Sequence, residues 1–256
     1  MATLELEHLS KNFGGVSAIS DVTFRVPPGE ITGLIGPNGA GKSTVVNLIT
    51  GLLKLSGGSI RLEGTEIGEL YPEEVVKSGI ARTFQNIRLL HEATVLDNVL
   101  IGFHRHETTP ILSAVLGLPA SRRSTARRRE EAMGLLDRFG IADLAGAHAG
   151  ALSYGHQRRV EMARAVASGP SVLLLDEPAA GMNDVEAGEL GVIFRELAAS
   201  GTAILLIEHN VGFVADLCRT INVLDAGRII ASGGPDEVLA NPDVIAAYLG
   251  QEEEVI

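Results

Sequence analysis

The chain of 256 residues has no tryptophan, one cysteine and only 4% aromatic residues. With so few rings available, its core has to be built from leucine, valine, isoleucine and alanine. The single cysteine, Cys218, excludes an intramolecular disulfide and suits a reducing compartment. Standing among apolar residues, it reads as inert packing. No apolar run approaches the roughly 20 residues needed to span a bilayer. Met1-Ala2-Thr3-Leu4-Glu5-Leu6-Glu7 lacks the basic-then-apolar order of a signal peptide, so the expectation is a protein soluble by itself. Positive charge is in deficit. The net charge of -11 argues against nonspecific nucleic-acid binding, which rests on neutralising phosphates with lysine and arginine. There is no internal repeat, no long low-complexity linker and no Asn-Lys-x-Asp guanine-reading motif.

What is present points to a folded α/β chain. Hydrophobic residues make up 45%, and the length suffices for one large or two intimately joined domains. The first thirty residues alternate in strand fashion, with Leu4, Leu6 and His8 on one face and Val22, Phe24 and Val26 on a face of the next strand. Pro27-Pro28-Gly29 supplies the turn, and Ser59 to Glu63 followed by Gly64 reads as a further strand and turn. From Val95 to Ala167 the pattern is helical, with an amphipathic Glu130–Phe139 stopped by Gly140 and a helix from Ser153 to Ala167. Val172–Asp176 and Ala203–Ile207 are continuous apolar runs of the kind buried in parallel sheets, with a helix between them from Val185 to Ala199. Ile221–Leu224, Asp225-Ala226-Gly227 and Arg228–Ala231 read as a hairpin.

Gly36-Pro37-Asn38-Gly39-Ala40-Gly41-Lys42-Ser43 fits the pattern G-x-x-x-x-G-K-[ST] without a mismatch. It lies between the apolar strand Ile31–Ile35 and the helical pattern from Thr44 to Ile49. Free backbone N–H groups and the positive end of the helix dipole make that junction an anion site. Lys42 is placed to reach β- and γ-phosphates, and the Ser43 hydroxyl to hold Mg²⁺.

Other residues converge on this loop. Asp176 and Glu177 close the run Val172–Leu175 at a strand's C-terminal end, the edge where open α/β sheets bind ligands. Asp176 is the candidate to hold Mg²⁺, and Glu177 to polarise an attacking water as general base. Leu152-Ser153-Tyr154-Gly155-His156 opens a helix whose N-terminus suits a second phosphate group, although an ordinary serine cap reads the same way. A head-to-tail pair would sandwich each ATP between the loop of one subunit and this segment of the other. His209 falls at the end of another apolar run and is a candidate γ-phosphate sensor or a structural histidine. Gln85 is a candidate to reach Mg²⁺ or the water.

These pieces, in this order, resemble the ATP-binding cassette (ABC) ATPases over almost the whole chain. The resemblance implies a phosphate-loop core with a mostly parallel sheet, an antiparallel β subdomain and a helical insert. The nucleotide-binding core would be 1–86 and 170–256, and the helical subdomain 87–169. It implies a phosphate loop from Gly36 to Thr44 (Gly36, Asn38, Gly39, Ala40, Gly41, Lys42, Ser43 and Thr44), a glutamine loop at Gln85, and a signature segment at Leu152–His156 with Ser153 and Gly155. It also implies the magnesium residue Asp176, the catalytic Glu177 and the switch His209. Phe13 matches the aromatic that stacks on adenine, with Val16 beside it; a packed core phenylalanine is the alternative. Two departures stand out. Tyr154 and His156 replace a glycine and a glutamine of the usual Leu-Ser-Gly-Gly-Gln, and Ala180-Gly181-Met182-Asn183 replaces Ser-Ala-Leu-Asp.

A narrower resemblance, carried by Arg82–Leu90, Thr94–Val99, Pro178–Asn183 and Ala247-Tyr248-Leu249-Gly250, is to the ATP-binding subunits of bacterial branched-chain amino-acid importers. It implies two membrane permeases, a second ATP-binding subunit as homodimer or heterodimer, an external substrate-binding protein acting indirectly, and a peripheral place on the cytoplasmic face of the inner membrane. The segment Ile87–Val99 would meet a permease helix. The alternatives are the ATPase of a urea or lipopolysaccharide system, or a soluble ABC protein without a transporter. The basic run Arg122–Arg129 reads as a solvated, salt-bridged helix face, since Arg127 and Glu131 are spaced i, i+4; contact with lipid headgroups is the other reading. A metal pair at His104 and His106 lacks supporting cysteine or carboxylate ligands.

Overall fold

The computed structural model describes residues 3–83, 87–103 and 119–249. The chain divides into two compact units, Met1–Arg82 with Ser171–Ala180 and Asp184–Ile256, and Thr83–Pro170 with Gly181–Asn183.

The larger unit opens with β1 (Leu4–Phe13) and β2 (Val16–Val26), which pair antiparallel. With β4 (Gly57–Leu62) and β5 (Thr65–Glu66) they form a four-stranded sheet in the order β2-β1-β4-β5. The expected alternation is visible in the buried Leu4 and Leu6, Val22, Phe24 and Val26, and Ile60 and Leu62. His8 does not follow it. This residue takes φ 52°, is exposed, and sets its Nδ1 2.6 Å from Asp21 Oδ1, while Leu9 takes the buried place. A shift in register between Leu6 and Leu9 turns the strand, as a bulge does.

The second sheet has six strands in the order β10-β9-β3-β8-β7-β6. Its members are β3 (Ile31–Ile35), β6 (Ile80–Arg82), β7 (Val172–Asp176), β8 (Ala203–Ile207), β9 (Thr220–Asp225) and β10 (Arg228–Gly233). All neighbours pair parallel except the hairpin of β9 and β10, which turns through Ala226 and Gly227, both at positive φ. Every residue of β3, β7 and β8 is buried, the pattern of parallel strands covered on both faces. Helix α1 (Lys42–Ile49) ties the two sheets together. Its Val45, Val46, Leu48 and Ile49 share one core with Leu4, Leu6 and Ile60 of the first sheet and Leu34, Leu174 and Leu205 of the second. The unit also holds α2 (Pro72–Ser78), α6 (Asp184–Ala199), α7 (Val211–Leu217), α8 (Pro235–Leu239) and α9 (Pro242–Leu249).

The smaller unit is helical, built from α3 (Val95–Gly102), α4 (Pro119–Arg138) and α5 (Tyr154–Ala167). Thr94 caps α3 by accepting the Asp97 N–H, and α4 stops before Gly140 at φ 68°. Asn98 is fully buried. It accepts the Leu90 N–H at 2.9 Å and donates to the carbonyls of Leu90 and Thr94, which pins the stretch before α3 onto that helix. The i, i+4 pair on α4 forms, with Arg127 Nε donating to Glu131 Oε1 at 2.8 Å. His104 and His106 lie outside the described residues. Among the described residues, no helix is long and apolar enough to cross a membrane.

Candidate functional site

Strand order decides which loops meet. β3, β8 and β7 are neighbours and run parallel, so the loops leaving their C-terminal ends lie side by side. Those loops carry Gly36–Gly41, Glu208–His209 and Glu177–Ala180. This is the ligand edge of an open α/β sheet.

The loop from Gly36 to Gly41 can exist only as glycine at two points. Gly36 has φ 150°, and a Cβ there would sit 1.9 Å from the Leu224 carbonyl oxygen. Gly41, the N-cap of α1, has φ 108°, and a Cβ would meet Ile19 Cδ1 at 2.7 Å. Without a side chain, Gly41 makes no cap hydrogen bond to the first turn of α1, whose leading N–H groups are those a phosphate would take. Asn38, Gly39 and Ser43 are exposed, while Ala40 is buried and holds the loop to the Gly227 N–H through its carbonyl. Lys42 Nζ donates to the carbonyls of Gly36 at 2.6 Å and Pro37 at 2.9 Å. Burial pushes its ammonium down, and the carboxylates of Glu177 and Asp176 partly offset that.

Asp176 is buried and paired with Arg82, whose Nη2 donates to Oδ2 at 2.8 Å while Nη1 donates to Asn47 Oδ1 at 2.7 Å. Glu177 has φ 48°, in the left-handed region that a side chain other than glycine enters at a cost. Its N–H donates to Ile207 O at 2.9 Å, and its carbonyl accepts the Ala180 N–H. His209 Nδ1 lies 3.9 Å from Glu177 Oε1 and 3.7 Å from Glu208 Oε2. Phe13 and Val16 are opposed across β1 and β2 and stand 48% and 68% exposed, so Phe13 is not a core phenylalanine. Lys11 Nζ sits 5.0 Å from the centre of its ring.

In the helical unit, the Ser153 hydroxyl caps α5 by accepting the His156 N–H at 3.4 Å, and Gly155 lies in the first turn. Tyr154 is half exposed, and Gly181 approaches its ring so closely that a Cβ would lie 3.4 Å from it. The two departures noted in the sequence therefore lie side by side. Gln85 falls outside the described residues.

Matches to known proteins agree with this geometry. Residues 19–180 match the family model described as ABC transporter. The chain belongs to the ABC transporter family. It is an ATP-binding cassette with the ATPase fold expected from its motifs, and it hydrolyses ATP. Residues 228–254 match a second model, described as Branched-chain amino acid ATP-binding cassette transporter. The cassette is 41% identical over 249 residues to the high-affinity branched-chain amino acid transport ATP-binding protein BraF of Pseudomonas aeruginosa, covering 97% of this chain and 98% of that one. Identity, length and coverage are the same for LivG of Escherichia coli K12, which has the same description. The ADP conformation of MJ1267, an ATP-binding cassette of an ABC transporter, superposes with a TM-score of 0.84 at 34% identity over 98% of this chain and 99% of that one.

Three residues of the cassette's site escape a reading of the sequence alone. No site role attaches to Arg82, Asn47 or Glu208 in the sequence: Arg82 joins the site through Asn47 and Asp176, and Glu208 through Ala179 as well as its neighbour His209. A charged residue at the end of an apolar run is the one local signal for Arg82 and Glu208. It equally describes a solvated strand end.

Proposed function

We propose that this chain is the ATP-hydrolysing subunit of an importer for branched-chain amino acids, driving uptake through two membrane permeases. The observation that carries the proposal is 41% identity over nearly the whole length to BraF and LivG, supported by the match at residues 228–254. Likeness to the lipopolysaccharide export protein LptB of Haemophilus influenzae is lower, at 34%. The chain would sit on the cytoplasmic face of the inner membrane, held there by its permeases.

In this reading adenine stacks on Phe13 beside Val16, and the phosphates take the N–H groups of the loop from Gly36 to Thr44. Lys42 exchanges the carbonyls of Gly36 and Pro37 for the β- and γ-phosphates. A hydroxyl and a carboxylate, from Ser43 and Asp176, would supply the hard oxygen ligands that Mg²⁺ prefers, while Gln85, the other candidate ligand from the sequence, lies outside the described residues. No group of three or more His, Cys, Asp or Glu able to hold a metal occurs among the described residues, which fits an ion bound mainly through nucleotide. When bound, Mg²⁺ neutralises charge developing on the phosphate oxygens. Glu177 accepts a proton from the water that attacks the γ-phosphorus, the bond to ADP breaks, and His209 donates to the γ-phosphate. Ser153 and Gly155 of a second ATP-binding subunit close the other side. ATP binding and hydrolysis then shift the pair between closed and open states, which is how the energy reaches the permeases.

The deciding experiment is identification of the proteins that a tagged copy retains from gently solubilised native membranes, followed by uptake assays with leucine, isoleucine and valine. Two polytopic permeases and a sister ATPase are expected, and ribosomal or DNA-repair proteins without permeases would overturn the transport reading. In the same complex Glu177→Gln lowers hydrolysis by about 100- to 10,000-fold with ATP binding retained, the range that general-base catalysis supplies. Unimpaired hydrolysis would remove Glu177 from that role.

A further inference from the structure

Glu208 is 1% exposed, an acid buried at the end of β8 with no place in the proposed chemistry. Its two carboxyl oxygens face opposite ways. Oε1 accepts the Ala179 N–H at 3.0 Å, and Oε2 accepts the His209 N–H at 3.2 Å. Oε2 also lies 3.7 Å from the His209 ring at Nδ1. Burial raises its carboxyl above the usual range, while the backbone N–H groups of Ala179, His209 and Asn210 and the His209 ring draw it back down.

The turn held on the Oε1 side is the one that contains Glu177. Glu177 sits at φ 48°, and such a conformation persists only where the surroundings over-determine it. Pro178 follows and has no N–H to give, so Ala179 carries the next donor. On the Oε2 side, Asn210 follows His209 and caps α7 by accepting the Phe213 N–H, which fixes the far end of that turn. One side chain therefore bridges two turns whose functional side chains stand 3.9 Å apart, His209 Nδ1 to Glu177 Oε1, and it adds to the backbone bond from the Glu177 N–H to Ile207 O.

We propose that Glu208 is a positioning residue for ATP hydrolysis, a two-sided clamp that holds the Glu177 turn and the His209 turn in mutual register. It touches neither nucleotide nor water and acts through the two residues that do. The inference rests on the roles of Glu177 and His209 proposed above. Its physical content is that a carboxylate has two acceptor faces, whereas an amide keeps one acceptor and turns a donor toward the other N–H.

The test is steady-state hydrolysis and equilibrium ATP binding by the full chain in the complex recovered with its partner subunits. Glu208→Gln, Glu208→Ala, Glu177→Gln and the paired Glu208→Ala/Glu177→Gln variant are compared. Glu208→Ala lowers kcat by about 100-fold, the cost of a small misplacement of reacting groups. KM for ATP stays within about threefold, because ground-state binding is untouched. Glu208→Gln, isosteric and able to keep the Ala179 contact, loses about tenfold, between the two extremes. The paired variant is no slower than Glu177→Gln alone, since both changes act at one step. Multiplying losses in the pair, a rise in KM with kcat intact, or wild-type kcat in Glu208→Ala would overturn the clamp. Glu208→Gln decides the matter if Glu208→Ala does not fold, and wild-type kcat there would overturn it. Wild-type hydrolysis by Glu177→Gln would instead bring down the catalytic reading itself.

Discussion

At the scale of single residues, the site is a balance of buried charges. Lys42 is held down by burial and up by two carboxylates, Asp176 is matched by Arg82, and Glu208 is burdened by its own burial. Glu208 makes a prediction for pH. Its folded pKa is raised above 4.5, so just above that pH the native state holds more protons than the unfolded state. Stability from this group therefore falls as pH rises through that window and then levels off. Denaturant unfolding of Glu208→Gln should lack this slope, and the difference from the parent chain, measured against pH, checks it. Cys218 is buried, as its apolar sequence surroundings suggest. Burial pushes it up to about 12, so the folded chain resists alkylation at pH 8. Labelling should appear only across the unfolding transition. Rapid labelling of the native chain would show that the region around α7 opens locally.

At the scale of elements, the N-terminus of α5 is asked to do two things. Ser153 caps the helix, and in the proposed function it also meets the γ-phosphate bound by a second subunit. The roles separate by substitution. Ser153→Ala loses the cap, at a cost of about 1 kcal/mol in unfolding free energy. Ser153→Asp keeps the cap yet sets a negative charge against phosphate, so it should retain thermal stability and lose ATP-dependent pairing and hydrolysis. Full hydrolysis in Ser153→Asp would leave Ser153 as a cap alone. The sheet offers a simpler case. Leu174, in the interior strand β7 and fully buried, shares the core that α1 joins to both sheets. Leu174→Ala should cost about 2–5 kcal/mol, read from chemical denaturation, because the surrounding strands cannot collapse into the cavity.

At the scale of the whole molecule, function depends on ligand and partners acting on a stable scaffold. ATP at about 100 times its Kd should raise the unfolding free energy by about 2.7 kcal/mol, visible as a higher Tm, since the phosphate loop exists only in the folded state. Gly36→Ala should abolish that gain, because its Cβ would strike the Leu224 carbonyl and distort the loop. What could be read from the residues in order is whatever lies contiguous along the chain. The phosphate loop is a run of eight residues whose own backbone makes the site, the apolar runs of β7 and β8 announce burial on both faces, and Ser153 announces its helix. What could not be read depends on folding: His8 leaves the face that alternation assigns it because a bulge pairs it with Asp21. Arg82 reaches Asp176 across 94 positions, and Glu208 reaches Ala179 across 29. Those partnerships exist because β6, β7, β8 and β3 lie in that order in one sheet, and strand order is a property of the packed core, not of any local stretch.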